Sequence, residues 1–129
     1  MDLLLYIQIK AQDNIRFGIP MADWFREQFP EAQQLDADNF SEDLVINQEL
    51  TMLKEAKSCL LIIDTEPEAK PGKTVRLLEA IIRDKELKSL IHLKGNNTTI
   101  EKMLTLGKVA YHQNLSEETL RELILKAGV

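Results

Sequence analysis

The chain has 129 residues, of which 44% are apolar and 29% charged, the size and balance of one soluble globular domain over residues 1–129. The formal net charge is −5 and no dense patch of lysine and arginine is present, so we expect no nucleic-acid partner. The longest apolar stretches, Leu3–Ile7 and Cys59–Ile63, are too short to cross a bilayer, so we expect no membrane partner either.

Strands and helices alternate along the chain without a linker or an internal repeat. Apolar runs predict buried strands, and apolar residues at helical spacing behind a capping residue or a proline predict helices. In chain order, the first half is predicted to hold a strand at Leu3–Ile9, a helix from Pro20 to about Phe29, a weak edge strand near Gln33–Ala37 within the poorly patterned residues 31–40, and a helix capped by Ser41 that ends near Lys57. The second half is predicted to hold a strand at Cys59–Ile63, a helix at Thr74–Arg83, a strand at Leu90–Leu93, a helix opened by the capping box Thr98-x-x-Glu101, a strand at Lys108–His112 and a helix capped by Ser116.

This alternation predicts an α/β domain of three layers, in which helices cover both faces of a five-stranded, mostly parallel sheet. The default strand order for such a sheet is 2-1-3-4-5, the flavodoxin-like arrangement. Ligands of such folds bind beyond the carboxyl ends of the strands, where the strand order reverses. The side chains expected on this ligand-side rim are Lys10, Asp13, Lys94, His112 and Gln113.

The segment Gly72-Lys73-Thr74 matches only the end of the phosphate-loop motif G-x-x-x-x-G-K-[ST]. The position of the motif's first glycine is taken by Pro67, which has no N–H to donate to a phosphate. The segment therefore predicts a solvated first helical turn, and we expect no nucleoside triphosphate site.

From residue 60 to residue 129 the chain resembles the receiver domain of response regulators. The stretch LLIIDTEPEAKPG resembles that family's strand, acceptor aspartate, proline and glycine, and RLLEAIIRDKELKSLIHLKG and VAYHQNLSEETLRELI resemble its later helices and strands. The resemblance implies that Asp64 is phosphoacceptor-like and that an acidic pair after the first strand holds Mg²⁺. Here that turn has one carboxylate, Asp13, beside Lys10, and the family's later hydroxyl and lysine positions fall near Lys94 and Gln113. The incomplete catalytic set favours a degenerate receiver that works without phosphoryl transfer.

A second resemblance is to TIR domains and nucleoside deoxyribosyltransferases. The stretch LTMLKEAKSCLLIIDTE followed by TVRLLEAI resembles the helix, central strand and helix of both families. This resemblance implies an active-site glutamate at Glu79, whose carboxylate would stabilise an oxocarbenium-like centre while the N-glycosidic bond of a nucleotide breaks. The signature residues that accompany this glutamate in both families are missing, so an enzyme of this class is the alternative interpretation.

No metal or cofactor is expected, because the two histidines, one cysteine and scattered carboxylates form no metal-ligand spacing. His92 is expected to pack inside a strand, whereas His112 is expected near the ligand-side rim and is the better functional candidate. Cys59 has no partner for an internal disulfide, and Asp2 stands in place of the basic start of a secretory signal. We therefore expect a cytoplasmic protein.

Four aromatic residues, Phe17, Trp24, Phe25 and Phe29, concentrate on and before the first predicted helix. They are expected to pack in the core or to form a docking surface. The alternating pattern, the receiver-like second half and the incomplete catalytic set predict a non-enzymatic cytoplasmic module for protein interaction or signalling. Its partner would be a protein that the sequence does not identify, and a homodimer is one option.

Overall fold

The computed structural model describes residues 1–128, in which five strands alternate with five α-helices. The strands are β1 (Leu3–Ile9), β2 (Gln33–Asp38), β3 (Ser58–Thr65), β4 (Lys88–Lys94) and β5 (His112–Gln113). The helices are α1 (Pro20–Gln28), α2 (Asp43–Glu55), α3 (Val75–Arg83), α4 (Thr98–Leu106) and α5 (Glu117–Ala127). Short 3-10 turns lie in the connections after β1 and β3, at Gln12–Asn14 and Gly72–Thr74.

The five strands form one parallel sheet in the order β2-β1-β3-β4-β5, which confirms the predicted flavodoxin-like α/β fold. The edge strand predicted within residues 31–40 is present as β2, whose pairing with β1 begins at Leu3 and Gln33. From β1 the chain continues to β2 on one side and then to β3 on the other side, so the switch point of the sheet lies between β1 and β3. The loops after these two strands flank the switch point.

Alternate side chains of the central strands pack into two cores, one on each face of the sheet. The larger core lies under α2, α3 and α4, and the smaller core lies under α1 and α5. On β1, Leu5 and Ile7 belong to the larger core, whereas Leu4 and Tyr6 belong to the smaller one. Every residue of β1 is buried, because the strand lies between two others and has helices on both faces.

Helix α2 does not begin as the sequence predicts, because Ser41 is not its cap. The capping residue is Glu42, which makes no side-chain hydrogen bond to the helix. The hydroxyl of Ser41 instead accepts a hydrogen bond from the backbone N–H of Asp38 at 3.0 Å and closes the turn after β2. The Ser41 side chain therefore stabilises the turn and does not cap the helix.

Helix α4 is capped by Asn97, one residue before the predicted Thr98, whereas Glu101 takes part in the capping box as predicted. The Asn97 side chain accepts a hydrogen bond from the backbone N–H of Ile100 at 3.2 Å, and the Glu101 carboxylate accepts one from the N–H of Asn97 at 3.1 Å. At α5 the predicted cap is confirmed, since the Ser116 hydroxyl accepts from the N–H of Thr119 at 3.1 Å.

The last strand is shorter than predicted and is shifted towards the C-terminus. The prediction spanned Lys108–His112, whereas β5 holds only His112 and Gln113. Lys108 adopts a left-handed conformation with φ of 56°, which ends the α4 region instead of starting an extended strand. No helix within residues 1–128 is both long and apolar enough to cross a bilayer.

Candidate functional site

Polar side chains of three neighbouring strands collect at one corner of the sheet. Successive side chains of a strand point to opposite faces, so Tyr6 of β1, Asp64 of β3 and His92 of β4 all face α1 and α5. In the sheet register, Asp64 lies between Gln8 on one side and Lys94 on the other. These residues stand near the carboxyl ends of their strands, at the edge where the fold places ligand sites.

Asp64 has two partners inside the protein. Its Oδ2 atom accepts a hydrogen bond from the Tyr6 hydroxyl at 3.0 Å and lies 2.9 Å from the Lys10 Nζ atom. The Lys10 and Asp64 side chains are only 11% and 10% exposed. Burial, and then the charge of Asp64, raises the pKa of Tyr6, so its hydroxyl remains a donor. The aspartate is therefore neutralised by the chain itself.

A groove opens beside this cluster, between the carboxyl ends of β1, β3 and β4 and the first turns of α1 and α5. It has a larger part of about 430 Å³, beside Lys10, Arg16 and Asp64, and a smaller part of about 330 Å³, beside His92, Leu115 and Leu120. Tyr6, Met21, Lys94 and Glu117 line both parts, so the two spaces are neighbours. We call this space the α1–α5 groove and define it by Tyr6, Lys10, Arg16, Met21, Asp64, His92, Lys94, Leu115, Glu117 and Leu120.

His92 lines the smaller part of the groove and is only 3% exposed. Its Nε2 atom accepts a hydrogen bond from the backbone N–H of Leu115 at 3.1 Å, so the neutral ring carries its proton on Nδ1. Burial, and then the nearby His112 and Lys94, lowers the pKa of His92 and keeps the ring neutral. Its Nδ1 atom is buried and has no hydrogen-bond partner within residues 1–128. The Nδ1–H group of His92 is therefore a buried donor without a partner.

The acidic side chains around the groove are already engaged. Glu66 accepts two hydrogen bonds from the loop after β1, at 2.7 and 2.6 Å, and Glu117 lies 3.3 Å from Arg121. Within residues 1–128, Lys94 and Arg16 form no ion pair with a carboxylate. In the same range Glu66 forms no ion pair either, because both of its donors are neutral, so charges of both signs remain without an ion-pair partner in the groove.

Side-chain hydrogen bonds hold the loops around the groove in place. The Gln8 side chain donates to the backbone oxygen of Arg16 at 2.7 Å and accepts from its N–H at 2.9 Å. The Asn97 side chain donates to the backbone oxygens of Glu66 and Ala69 at 2.9 and 2.8 Å. Both the loop after β1 and the loop after β3 are thus tied to regular elements, so the groove is preformed.

Two of the five predicted rim residues, Lys10 and Lys94, line the groove. Asp13 is exposed in the 3-10 turn after β1, outside the groove lining. His112 is exposed at the sheet edge, where it pairs in register with His92. Gln113 of β5 donates to the backbone oxygen of Gly95 at 3.1 Å and thus ties the loop after β4 to β5.

Glu79 lies on α3, over the larger core and away from the groove. Its side chain is 47% exposed and lies 3.9 Å from Arg83, one helical turn further on. Neither Glu79 nor His112 lines the groove, so the structure does not bring these two candidates into it.

The Gly72-Lys73-Thr74 turn is engaged with α2. Lys73 lies 3.2 Å from Glu42 and 3.4 Å from Asp43, and the hydrogen bonds with these carboxylates raise its pKa. Thr74 is fully buried, and its hydroxyl donates to the backbone oxygen of Pro71. The prediction of a solvated turn is thus wrong for Thr74, which anchors the start of α3.

Tyr6, Arg16, His92 and Glu117 were not singled out as groove residues from the sequence. A signal for part of this set exists, because polar or aromatic residues recur at alternate positions near the strand ends, as in Tyr6 with Gln8 and His92 with Lys94. Arg16 lies in a loop and Glu117 in the first turn of α5, so the alternation of side chains along a strand does not predict where they point.

Within residues 1–128, no three histidine, cysteine, aspartate or glutamate side chains form a group that could hold a metal ion. Comparison of the chain with protein-family models, with curated proteins and with solved structures finds no match.

Proposed function

We propose that this chain is a non-enzymatic cytoplasmic module for protein interaction and signalling that resembles a degenerate receiver domain. The observation that carries the proposal is the buried ion pair between Lys10 and Asp64, with Nζ and Oδ2 2.9 Å apart. Asp64 is the residue that the resemblance marks as phosphoacceptor-like. Its negative charge is already balanced by a cation that belongs to the chain.

Phosphoryl transfer to a carboxylate depends on an accessible oxygen and on cations that neutralise the transferred group. Lys10 stands after β1, where the resemblance implies acidic ligands for Mg²⁺, and its ammonium group repels a second cation. Tyr6 donates to the same Oδ2 atom that Lys10 approaches. The cluster supports a structural role, in which it holds the ends of β1 and β3 together.

Exposed apolar side chains support contact with another protein. The aromatic residues near the first helix have different environments: Phe25 is fully buried, whereas Phe17 is 96% exposed. Phe40 and Leu44, in the β2–α2 connection and the first turn of α2, are 49% and 71% exposed. Exposed aromatic residues are common at interface centres, and a second copy of this chain is the first partner to test.

The chemical part of the proposal is tested by intact mass spectrometry of the pure protein with acetyl phosphate and Mg²⁺. We expect no phosphoryl adduct. A stable adduct that disappears in Asp64→Asn would contradict the proposal. The same incubation with NAD and deoxynucleosides tests the alternative enzyme, for which release of free base that is lost in Glu79→Ala would be the decisive result.

The interaction part is tested by sedimentation velocity over a range of protein concentrations. If a homodimer forms through the exposed aromatics, Phe17→Ser or Phe40→Ser should weaken it. Leu106→Ser is the matched control, since Leu106 is 81% exposed at the carboxyl end of α4. A protein that remains monomeric at every concentration would remove the homodimer from the proposal.

A further inference from the structure

We propose that two copies of this chain pair along the open edge of β2, in antiparallel orientation, so that their two sheets join into one. β2 is an end strand of the sheet, and within residues 1–128 no other strand covers its outer side. An unpaired edge strand is a template for a further strand. The inference rests on the proposed interaction function, for which it names a partner and a surface other than the exposed aromatics.

The backbone hydrogen bonds of β2 show which of its groups face the open edge. The N–H of Gln33 donates to the backbone oxygen of Asp2, and the parallel register with β1 then continues without a break. Backbone groups of a strand point alternately to its two sides, so the odd-numbered residues of β2 bond to β1. Gln34 and Asp36 therefore turn their N–H and C=O groups outwards, where a further strand can pair with them without disturbing β1.

The side chains select one register for this pairing. Outward-facing residues must stand opposite outward-facing residues, so the two-fold axis passes through Gln34, Leu35 or Asp36. An axis at Asp36 would place two aspartates directly opposite each other, which is unfavourable, and an axis at Gln34 would place Asp36 opposite Ala32. An axis at Leu35 places Asp36 opposite Gln34 of the second copy, and each such pair exchanges two backbone hydrogen bonds.

Charge complementarity supports the register centred on Leu35. The Gln34 side chain accepts a hydrogen bond from Arg26 of α1 at 2.9 Å, so in this register Arg26 stands beside Asp36 of the second copy. Asp36 is exposed and forms no ion pair within residues 1–128, and Arg26 has only a 3.7 Å contact with Asp23 between two exposed side chains. An acidic residue on an edge strand opposes pairing unless a cation meets it. Here each copy supplies both the anion and the cation, as a self-complementary two-fold interface requires.

Helix α2 adds apolar surface beside the same edge. One side of α2 contacts the start of α3, through Asp43 and Asn47 with Arg76. Val45 and Met52 lie two helical turns apart on the side away from α3, next to the edge of β2. Val45 is 38% exposed and Met52 is half-buried. A two-fold axis perpendicular to the joined sheet brings the two α2 helices to the same face, so these side chains extend the contact beyond the strands.

The first test is sedimentation velocity of the full chain from about 1 to 500 µM. We expect a monomer–dimer equilibrium with a Kd below about 500 µM, since the interface is small. Asp36→Arg and Arg26→Asp each place like charges side by side and should weaken the dimer by about tenfold or more. Glu118→Arg and Lys102→Asp make the same charge changes at exposed positions of α5 and α4, and each should change the Kd by less than about twofold.

Mixing the variants separates a specific contact from a change of net charge. An equimolar mixture of Asp36→Arg and Arg26→Asp should form a heterodimer at least about tenfold tighter than either variant's own dimer, because each introduced charge then stands beside one of opposite sign. The mixture of Glu118→Arg with Lys102→Asp has the same net charges and should gain nothing over its components.

A cysteine at the two-fold axis tests the register. Opposite residues of a non-hydrogen-bonded antiparallel pair have Cα atoms about 4.5 Å apart, a distance that a disulfide spans. Leu35→Cys should therefore form a disulfide-linked dimer on mild oxidation. Gln33→Cys is the matched control, since it stands opposite Ala37 of the second copy and should remain monomeric on a denaturing gel. The native Cys59 is fully buried and forms no link in either variant.

Three results would overturn the inference. A protein that is monomeric at every concentration would do so and would leave the interaction function with a different protein as partner. A dimer that is unchanged by Asp36→Arg and Arg26→Asp, or that is lost only in Phe17→Ser or Phe40→Ser, would assign self-association to another surface. Equal cross-linking of Gln33→Cys and Leu35→Cys would contradict the register.

Discussion

The carboxylate of Asp64 shows how one buried charge ties two strand ends together. The residue is 7% exposed, and Lys10 and Tyr6 converge on the same oxygen. A buried ion pair adds little over an apolar replacement of similar shape, but the loss of one partner leaves an uncompensated charge in a poorly solvated place. Replacing only one residue of the pair should therefore destabilise the protein more than replacing both.

Lys10→Met should lower the free energy of unfolding by about 3 kcal/mol, because Asp64 then stays buried without its cation. The measurement is chemical denaturation at neutral pH. Lys54→Met is the matched control, since Lys54 is exposed on α2 and makes no ion pair within residues 1–128, and it should change stability by less than about 0.5 kcal/mol.

The double variant Lys10→Met/Asp64→Asn should recover most of this loss. The asparagine carries no charge, and its side-chain oxygen can still accept from the Tyr6 hydroxyl. If the double variant is as unstable as Lys10→Met alone, the loss comes from packing of the lysine stem and not from the unpaired carboxylate.

A second buried carboxylate, Glu49 of α2, has no charge partner of this kind. It is 6% exposed, and its Oε1 atom makes no hydrogen bond within residues 1–128. Burial, and then the charge of Asp36, raises the pKa of Glu49 from 4.5 to about 7. The folded protein therefore holds this proton over a pH range in which the unfolded chain has released it.

Glu49 should make the protein less stable as the pH rises from 5 to 8. Below pH 4.5 both states hold the proton, and as the pH rises towards 7 the advantage of the protonated folded state is lost. Between pH 5 and pH 8 the free energy of unfolding of the wild type should therefore fall by about 2 kcal/mol relative to that of Glu49→Gln. Denaturation of both proteins across the range is the measurement, and parallel pH curves would contradict the prediction.

At the scale of elements, the strand and helix interiors follow from the sequence more closely than the ends do. The apolar runs of β1 and β3 and the helical spacing in α3 and α5 predict those elements within a few residues. Ser41 does not cap α2 because its hydroxyl accepts from the N–H of Asp38, and Thr98 does not cap α4 because Asn97 accepts from the N–H of Ile100. Short polar side chains of this kind can each bond several nearby backbone donors. The local sequence does not decide which of them wins.

The turn after β4 requires a glycine at position 95, and the reason is a contact that the sequence does not show. Gly95 has φ of +89°, and a β-carbon at this position would collide with the backbone oxygen of Thr65. Its N–H donates to the Asn114 side chain at 2.7 Å, which links the ends of β4 and β5. The close approach holds the end of β4, and with it Lys94, beside β3.

Gly95→Ala should lower the free energy of unfolding by about 2 kcal/mol or more, since it combines an unfavourable φ with a steric clash. Gly18→Ala is the matched control, because a β-carbon at Gly18 has open space around it and should change stability by less than about 0.5 kcal/mol. Thermal or chemical denaturation separates the two. Equal stability of both variants would show that the loop moves to accept the methyl group.

At the scale of the whole molecule, one sheet separates two cores of unequal character. The core under α2, α3 and α4 draws aliphatic side chains from every central strand, whereas the strand face under α1 and α5 turns polar towards its carboxyl edge. The groove lies at that transition, between α1 and α5. Phe17 and Phe40, which the proposed protein contacts involve, lie in the loops at this same edge, where parallel α/β sheets place their ligand sites.

The sequence by itself determined the α/β class, the number of strands and their order, because strand and helix periodicity is local and parallel crossovers leave few topologies open. It also placed Lys10, Asp64 and Lys94 at the carboxyl edge of the sheet, since each lies at or directly beyond the end of a strand. Only the tertiary structure decided that Lys10 neutralises Asp64, that His92 keeps an unused donor, and that Glu79 lies away from the groove. These outcomes depend on distances of a few ångströms between residues far apart in the chain, and such distances are set by packing and not by local pattern.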